Sequence, residues 1–142
     1  MADGMCGKYR HAVDAKGRLF VPSKLRDALG DMFYVTLGLD HCLSVYTQKS
    51  WQRIMERYAE LPMAKARSLR FFFANAAQCE PDKQGRFLLP ADLRSYASLG
   101  QDIYFIGQSD HAEIWNAELY EKLEEEQKTP ENLTAALEEL GF

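Results

Sequence analysis

The chain has 142 residues, 46% of them hydrophobic and 12% aromatic, a globular composition sized for one ordinary domain or two small halves sharing a core. No apolar run approaches the roughly 20 residues of a membrane helix, and residues 1–16 hold no secretory-type apolar segment, so a cytoplasmic protein is expected. The net charge of −4 argues against a polyanion partner until its distribution is read: residues 1–70 carry 12 Lys and Arg against 7 acids, and residues 71–142 carry 5 against 14.

Residues 1–7 lack periodicity and read as a loose lead-in. From Lys8 the pattern alternates, with Lys8, Arg10 and Ala12 on one face and Tyr9, His11 and Val13 on the other, which predicts a strand. Asp14, Lys16 and Gly17 then predict a tight hairpin turn, and residues 18–21 its return strand. Pro22 stops that strand and starts a short helix over residues 23–29, closed by Gly30. Two further strands, residues 34–38 and 42–46, precede a helix over residues 49–61 that Thr47 caps and Pro62 ends. A connecting helix is predicted over residues 64–77. Its Phe71, Phe72 and Phe73 read as core in preference to a stacking platform for bases. After Tyr120 the chain becomes an acidic helical tail with Glu124, Glu125 and Glu126, read as a solvated face.

The chain repeats itself. Asp14-x-x-Gly17-Arg18, Pro22, Leu25 and Arg26 return 68 residues later as Asp82-x-x-Gly85-Arg86, Pro90, Leu93 and Arg94, six identities in thirteen positions. A second short helix follows Pro90 to residues 99–100. Residues 102–107 match 33–38, residues 112–115 match 43–46, and Asn116 takes the capping place of Thr47.

Catalytic patterns are wanting. The paired Asp14 and Asp82 suggest an acid dyad, but each sits beside an arginine that would hold it ionised, whereas a dyad needs a shared proton. His11, His41 and His111 are isolated, and Cys6, Cys42 and Cys79 form no CxxC pair. No metal site, cofactor, small-molecule substrate or disulfide is therefore expected, and the thiols read as small apolar groups. Binding chemistry fares better. Six basic residues and one acid fall between Lys8 and Arg26. If residues 8–21 form a two-stranded ribbon, Lys8, Arg10, Lys16 and Arg18 gather on it, and such a ribbon fits the DNA major groove. The competing reading is structural: Arg18 and Arg86 pair with Asp14 and Asp82 to lock the turns. Residue chemistry alone leaves the two readings level.

Tyr9-Arg10-His11, the two Asp-x-x-Gly-Arg motifs each followed by a proline, Arg70-Phe71-Phe72-Phe73 and Cys79-Glu80 resemble MraZ proteins over residues 5 to about 125. The resemblance implies an α+β fold of tandem pseudo-symmetric AbrB-like swapped-hairpin halves. These would form a double-psi-type β-barrel with peripheral helices: halves at residues 5–61 and 76–121, a connecting helix at 62–75 and a tail at 122–142. It also implies a non-enzymatic transcriptional regulator at the nucleoid. Such a protein binds short direct repeats in double-stranded DNA as a ring-like homo-oligomer and represses its own division and cell-wall operon. DNA contact is then expected from Lys8, Arg10, Lys16, Arg18, Lys83 and Arg86, with Asp14, Gly17, Asp82 and Gly85 shaping the hairpins. The first hairpin, being more basic, is expected to contribute more. The alternative is an oligomeric protein-interaction scaffold using the acidic C-terminal half.

Overall fold

The alternating segment at the start does form a strand, β1 (Lys8–Ala12), but its partner comes from the far half of the sequence. In the computed structural model, which describes residues 4–142, β1 runs antiparallel to β7 (Asp102–Gln108), with Lys8 opposite Ile106 and Ala12 opposite Asp102. Strand β2 (Arg18–Phe20) pairs with β6 (Arg86–Leu88), its own repeat. The expected hairpin between residues 8–14 and 18–21 is thus corrected. Its tight turn is present, the Gly17 N–H donating to the Asp14 carbonyl at 2.9 Å, but the two strands enter different sheets. Burial is the reason. A lone two-stranded hairpin is marginal in water, and crossing into the other half leaves Leu19 0% and Val21 2% exposed.

The same exchange occurs at the other half. Strands β3 (Phe33–Leu37) and β4 (Leu43–Thr47) form one hairpin, β7 and β8 (His111–Asn116) a second, and the two meet through β4 and β8. Strand β5 (Ala77–Cys79) opens the second repeat yet pairs with β3 of the first. The six-stranded order β1-β7-β8-β4-β3-β5 is therefore two interlocked units. Their shared core centres on Phe87, whose ring lies 5.0 Å from Phe33 and 6.5 Å from Phe105, both edge-on.

Both prolines do what their fixed φ suggests. Pro22 leads into a 3-10 turn (Ser23–Leu25) and α1 (Arg26–Leu29), and Pro90 into α5 (Ala91–Tyr96). Between the two comes α2 (Gln48–Ala59), capped by Thr47, whose side chain accepts the Ser50 N–H at 3.0 Å. The predicted helix over residues 64–77 is broken into α3 (Met63–Ala66), a 3-10 turn (Arg67–Leu69) and α4 (Arg70–Ala74), and Ala77 belongs to β5. Packing decides the break. The Thr36 hydroxyl donates to the Phe72 carbonyl at 2.6 Å, and the Phe72 ring stacks 5.7 Å from Trp51, while Phe71 stays 66% exposed.

Three smaller expectations shift. The second short helix ends before residues 99–100, because Ser98 takes a positive φ (53°), as Gly30 does at the corresponding place in the first copy (75°). Phe33 matches Ile103 rather than Asp102: Phe33 lies opposite Thr47 and Ile103 opposite Asn116, and both rows of partners end at helix caps. A one-residue slip would have buried Asp102. The lead-in is held as well. Met5 is 3% exposed and exchanges two backbone hydrogen bonds with Ser109, at 2.9 and 2.6 Å, while residues 1–3 lie outside the described residues.

The chain ends in α6 (Ala117–Gln127) and α7 (Pro130–Glu139), capped by Asn116 and Thr129. The acidic tail is not simply solvated: Tyr120 and Leu123 of α6 pack on Trp115, and Glu124 is engaged by Lys8 at 2.8 Å. Cys42 and Cys79 are buried, which pushes the Cys79 thiol up to about 12 and the Cys42 thiol upward too, whereas Cys6 is exposed. Among the described residues, no helix is long and apolar enough to cross a membrane.

Candidate nucleic-acid interface

The β2–β6 ribbon turns Leu19 and Phe87 inward and Arg18, Phe20, Arg86 and Leu88 to the other side. Arg18 lies opposite Leu88 and Phe20 opposite Arg86, so the two arginines sit at diagonal corners related by the repeat. Phe20 and Leu88 between them are 40% and 59% exposed.

Each arginine is positioned by its own turn. Asp14 Oδ1 accepts the Lys16 N–H at 2.9 Å and the Arg18 N–H at 2.8 Å, and its Oδ2 accepts Arg18 Nε at 2.8 Å. Asp82 repeats this with Gln84 at 2.9 Å, the Arg86 N–H at 3.0 Å and Arg86 Nε at 3.0 Å. These bonds hold both carboxyls below the usual aspartate range, the arginine's backbone N–H first and its side chain after it. A guanidinium anchored through Nε still points its Nη nitrogens at an outside acceptor. The structural reading of these arginines and the binding one are therefore compatible.

Arg26 and Arg94 complete the frame, and sequence reasoning had assigned them no role. Arg26 Nε donates to the Val21 carbonyl at 3.1 Å and its Nη2 to the Gln84 carbonyl at 3.4 Å, in the other half's turn. Arg94 Nε donates to the Leu89 carbonyl at 3.0 Å. A Cβ on Gly85 would come within 2.7 Å of the Arg26 guanidinium carbon, and one on Gly17 within 2.9 Å of that of Arg94. Both glycines also have positive φ, 85° and 82°. The last arginine of each copy of the motif thus lies against the opposite repeat's turn. The available signal was their identity in both copies.

The ribbon and its turns bring together Lys16, Arg18, Lys83 and Arg86, two from each repeat. They do not bring in Lys8 and Arg10, which the expected β1–β2 ribbon had placed beside them. Arg10 pairs with Glu121 at 3.3 Å and Asp102 at 3.5 Å and donates to the Tyr104 hydroxyl at 3.1 Å. Lys8 lies 5.6 Å from the Tyr104 ring centroid as well as on Glu124. The pairing of β1 with β7 carries both cations under α6, and the α6 carboxylates meet them there.

The sequence profile of a family described as "MraZ protein, putative antitoxin-like" matches this chain twice, over residues 5–71 and 72–140. The chain belongs to the MraZ family. It is 53% identical over 117 residues to the transcriptional regulator MraZ of Lachnoclostridium phytofermentans, covering 81% of this chain and 83% of the relative. Identity to the protein of that name from Heliobacterium modesticaldum is 48% over 122 residues (84% and 85% of the two chains). For that of Caldicellulosiruptor saccharolyticus it is 44% over 142 residues (97% and 99%). The tandem matches of the MraZ family fall on the two interlocked repeats.

Proposed function

We propose that this MraZ-family chain is a sequence-specific DNA-binding transcriptional regulator, acting at the nucleoid and repressing its own division and cell-wall operon by binding short direct repeats as a ring-like oligomer. The observation that carries this reading is the β2–β6 ribbon with four cations, Lys16, Arg18, Lys83 and Arg86, at its two turns. A two-stranded ribbon matches the width of the major groove, where arginine can reach guanine O6 and N7 or the phosphates. The relatives' name, transcriptional regulator, supports the reading. One ribbon makes few phosphate contacts, so several copies on spaced repeats are needed for tight binding. We read the exchanged strands as AbrB-like swapped hairpins in a double-psi-type barrel, with halves at residues 5–61 and 76–121.

The test is a polarisation titration of the full chain against DNA taken from directly upstream of its gene. Arg18→Ala is expected to weaken binding by tenfold or more while circular dichroism stays unchanged. With four cations engaged, log K should fall with log salt at a slope of roughly 3–4 per bound subunit. Operator affinity unmoved by Arg18→Ala, or a flat salt titration, refutes the assignment and leaves the scaffold reading in front.

A further inference from the structure

The ribbon that carries the cations also carries apolar surface that the chain leaves uncovered. Its outward side holds four side chains, Arg18 and Phe20 on β2 and Arg86 and Leu88 on β6. Phe20 and Leu88 stay exposed although their strand neighbours Leu19 and Phe87 are buried on the inner side. Neither belongs to the packed core or to the partly buried side chains that border it. The ribbon is a sheet of two strands, three residues each, so both strands are edges. Outward positions on such edges are ordinarily polar, because exposed apolar edges invite mispairing and aggregation. Half of this outward face is apolar instead.

The surroundings say what kind of surface covers it. Arg18 stands opposite Leu88 and Phe20 opposite Arg86, so guanidinium and apolar side chains alternate along and across the strands. At the turns, Lys16 and Lys83 make no ion pair among the described residues. Residues two apart on a strand are about 6.5 Å apart, and paired strands about 4.8 Å. Base-pair steps are about 3.4 Å, so the four side chains fall on the same two or three base pairs. In the major groove, guanine, cytosine and adenine present hydrogen-bonding groups, and thymine adds an apolar C5 methyl. Apolar side chains ringed by cations match methyl groups set between phosphates.

We infer that Phe20 and Leu88 are specificity-determining residues that contact thymine methyl groups in the major groove, between the guanine or phosphate contacts of Arg18 and Arg86. The inference rests on the DNA-binding reading of the ribbon and names which bases it distinguishes. Phe20 and Leu88 hold equivalent places in the two copies of the motif but differ in size and shape. The turn positions differ as well, Lys16 in one copy against Gln84 in the other. A ribbon with equal ends would match an inverted repeat, since site symmetry mirrors protein symmetry. Unequal ends give the ribbon a direction on the duplex, as a direct repeat requires.

Replacing thymine by uracil removes the methyl and keeps every base-pairing hydrogen bond, so it isolates this contact. The full chain is titrated by polarisation against DNA from directly upstream of its gene, with each thymine replaced in turn. Wild type is expected to lose roughly fourfold in affinity at one thymine for each apolar side chain, the effect of uncovering one methyl. Leu88→Ala is expected to bind the unmodified DNA more weakly by a similar factor and to be indifferent to uracil at one of these positions. Phe20→Ala should behave likewise at a different position. Both variants should keep the wild-type circular dichroism and salt slope, because the side chains are exposed and uncharged. Wild type that binds this DNA yet tolerates uracil at every thymine overturns the inference and leaves the DNA-binding reading standing. Alanine variants that keep the full uracil penalty also overturn it. A wild-type chain that does not bind the DNA at all sinks the DNA-binding reading and the inference together.

Discussion

At the scale of single residues, each Asp-x-x-Gly-Arg turn uses one carboxylate both to shape the turn and to hold the arginine beside it. Asp14 accepts two backbone N–H groups and a guanidinium nitrogen, which shapes the turn and aims Arg18 with one side chain. Because these bonds hold Asp14 and Asp82 below their unfolded pKa, the unfolded chain takes up protons first as pH falls. Their contribution to stability is complete above the ordinary aspartate range and is lost as pH drops through roughly 4 and below. Thermal melts at pH 7 and pH 3.5 should therefore show a larger drop for the wild type than for the Asp14→Asn, Asp82→Asn double variant. The glycines admit a second prediction. Gly17→Ala meets both a positive φ and the Arg94 guanidinium and should cost about 1–2 kcal/mol in urea unfolding. A loss within a few tenths of a kcal/mol would mean the turn relaxes freely.

At the scale of elements, strand exchange decides which cations face outward. The alternation in residues 8–12 was legible as a strand with Lys8 and Arg10 on its polar face, but the turn after it signals only a local chain reversal. Which strand completes the ladder depends on where apolar surface can be covered, and that takes Lys8 and Arg10 to Asp102, Glu121 and Glu124. Lys8→Ala should accordingly leave operator affinity within about twofold of wild type and the salt slope unchanged within roughly one unit. A loss comparable to that of Arg18→Ala would show that α6 releases Lys8 when DNA binds. The same logic explains why residues 64–77 are not one helix. Local propensity favours continuity there, and the Thr36 hydrogen bond and aromatic stacking of Phe72 outweigh it.

For the whole molecule, the repeat predicts two units, and the pairings show why they do not behave as two domains. Strands β1, β5 and both ribbon strands find partners only in the opposite repeat, and Phe87 of the second contacts Phe33 of the first. Unfolding one half exposes the core of the other. Calorimetry should show a single transition with equal calorimetric and van't Hoff enthalpies per cooperative unit, and Phe87→Ala should lower stability by about 3–5 kcal/mol without splitting it. Two resolved transitions would contradict that cooperativity.

The features carried by period, turn chemistry and identity between copies were readable from the residues. They include strand and helix types, the Pro22 and Pro90 helix starts, the Thr47 and Asn116 caps, and the Asp-Gly-Arg turns, because each depends on contacts within a few residues. Partner choice was not readable. The ribbon forms between Arg18 and Arg86 strands, Arg26 lies against Gly85 and Arg94 against Gly17, and Lys8 is covered by Glu124, through contacts between residues 58 to 116 positions apart. Such contacts arise only once burial of Leu19, Phe33 and Phe87 has chosen one pairing over another. The motif stated which side chains recur in both copies, and burial of apolar surface stated where they stand.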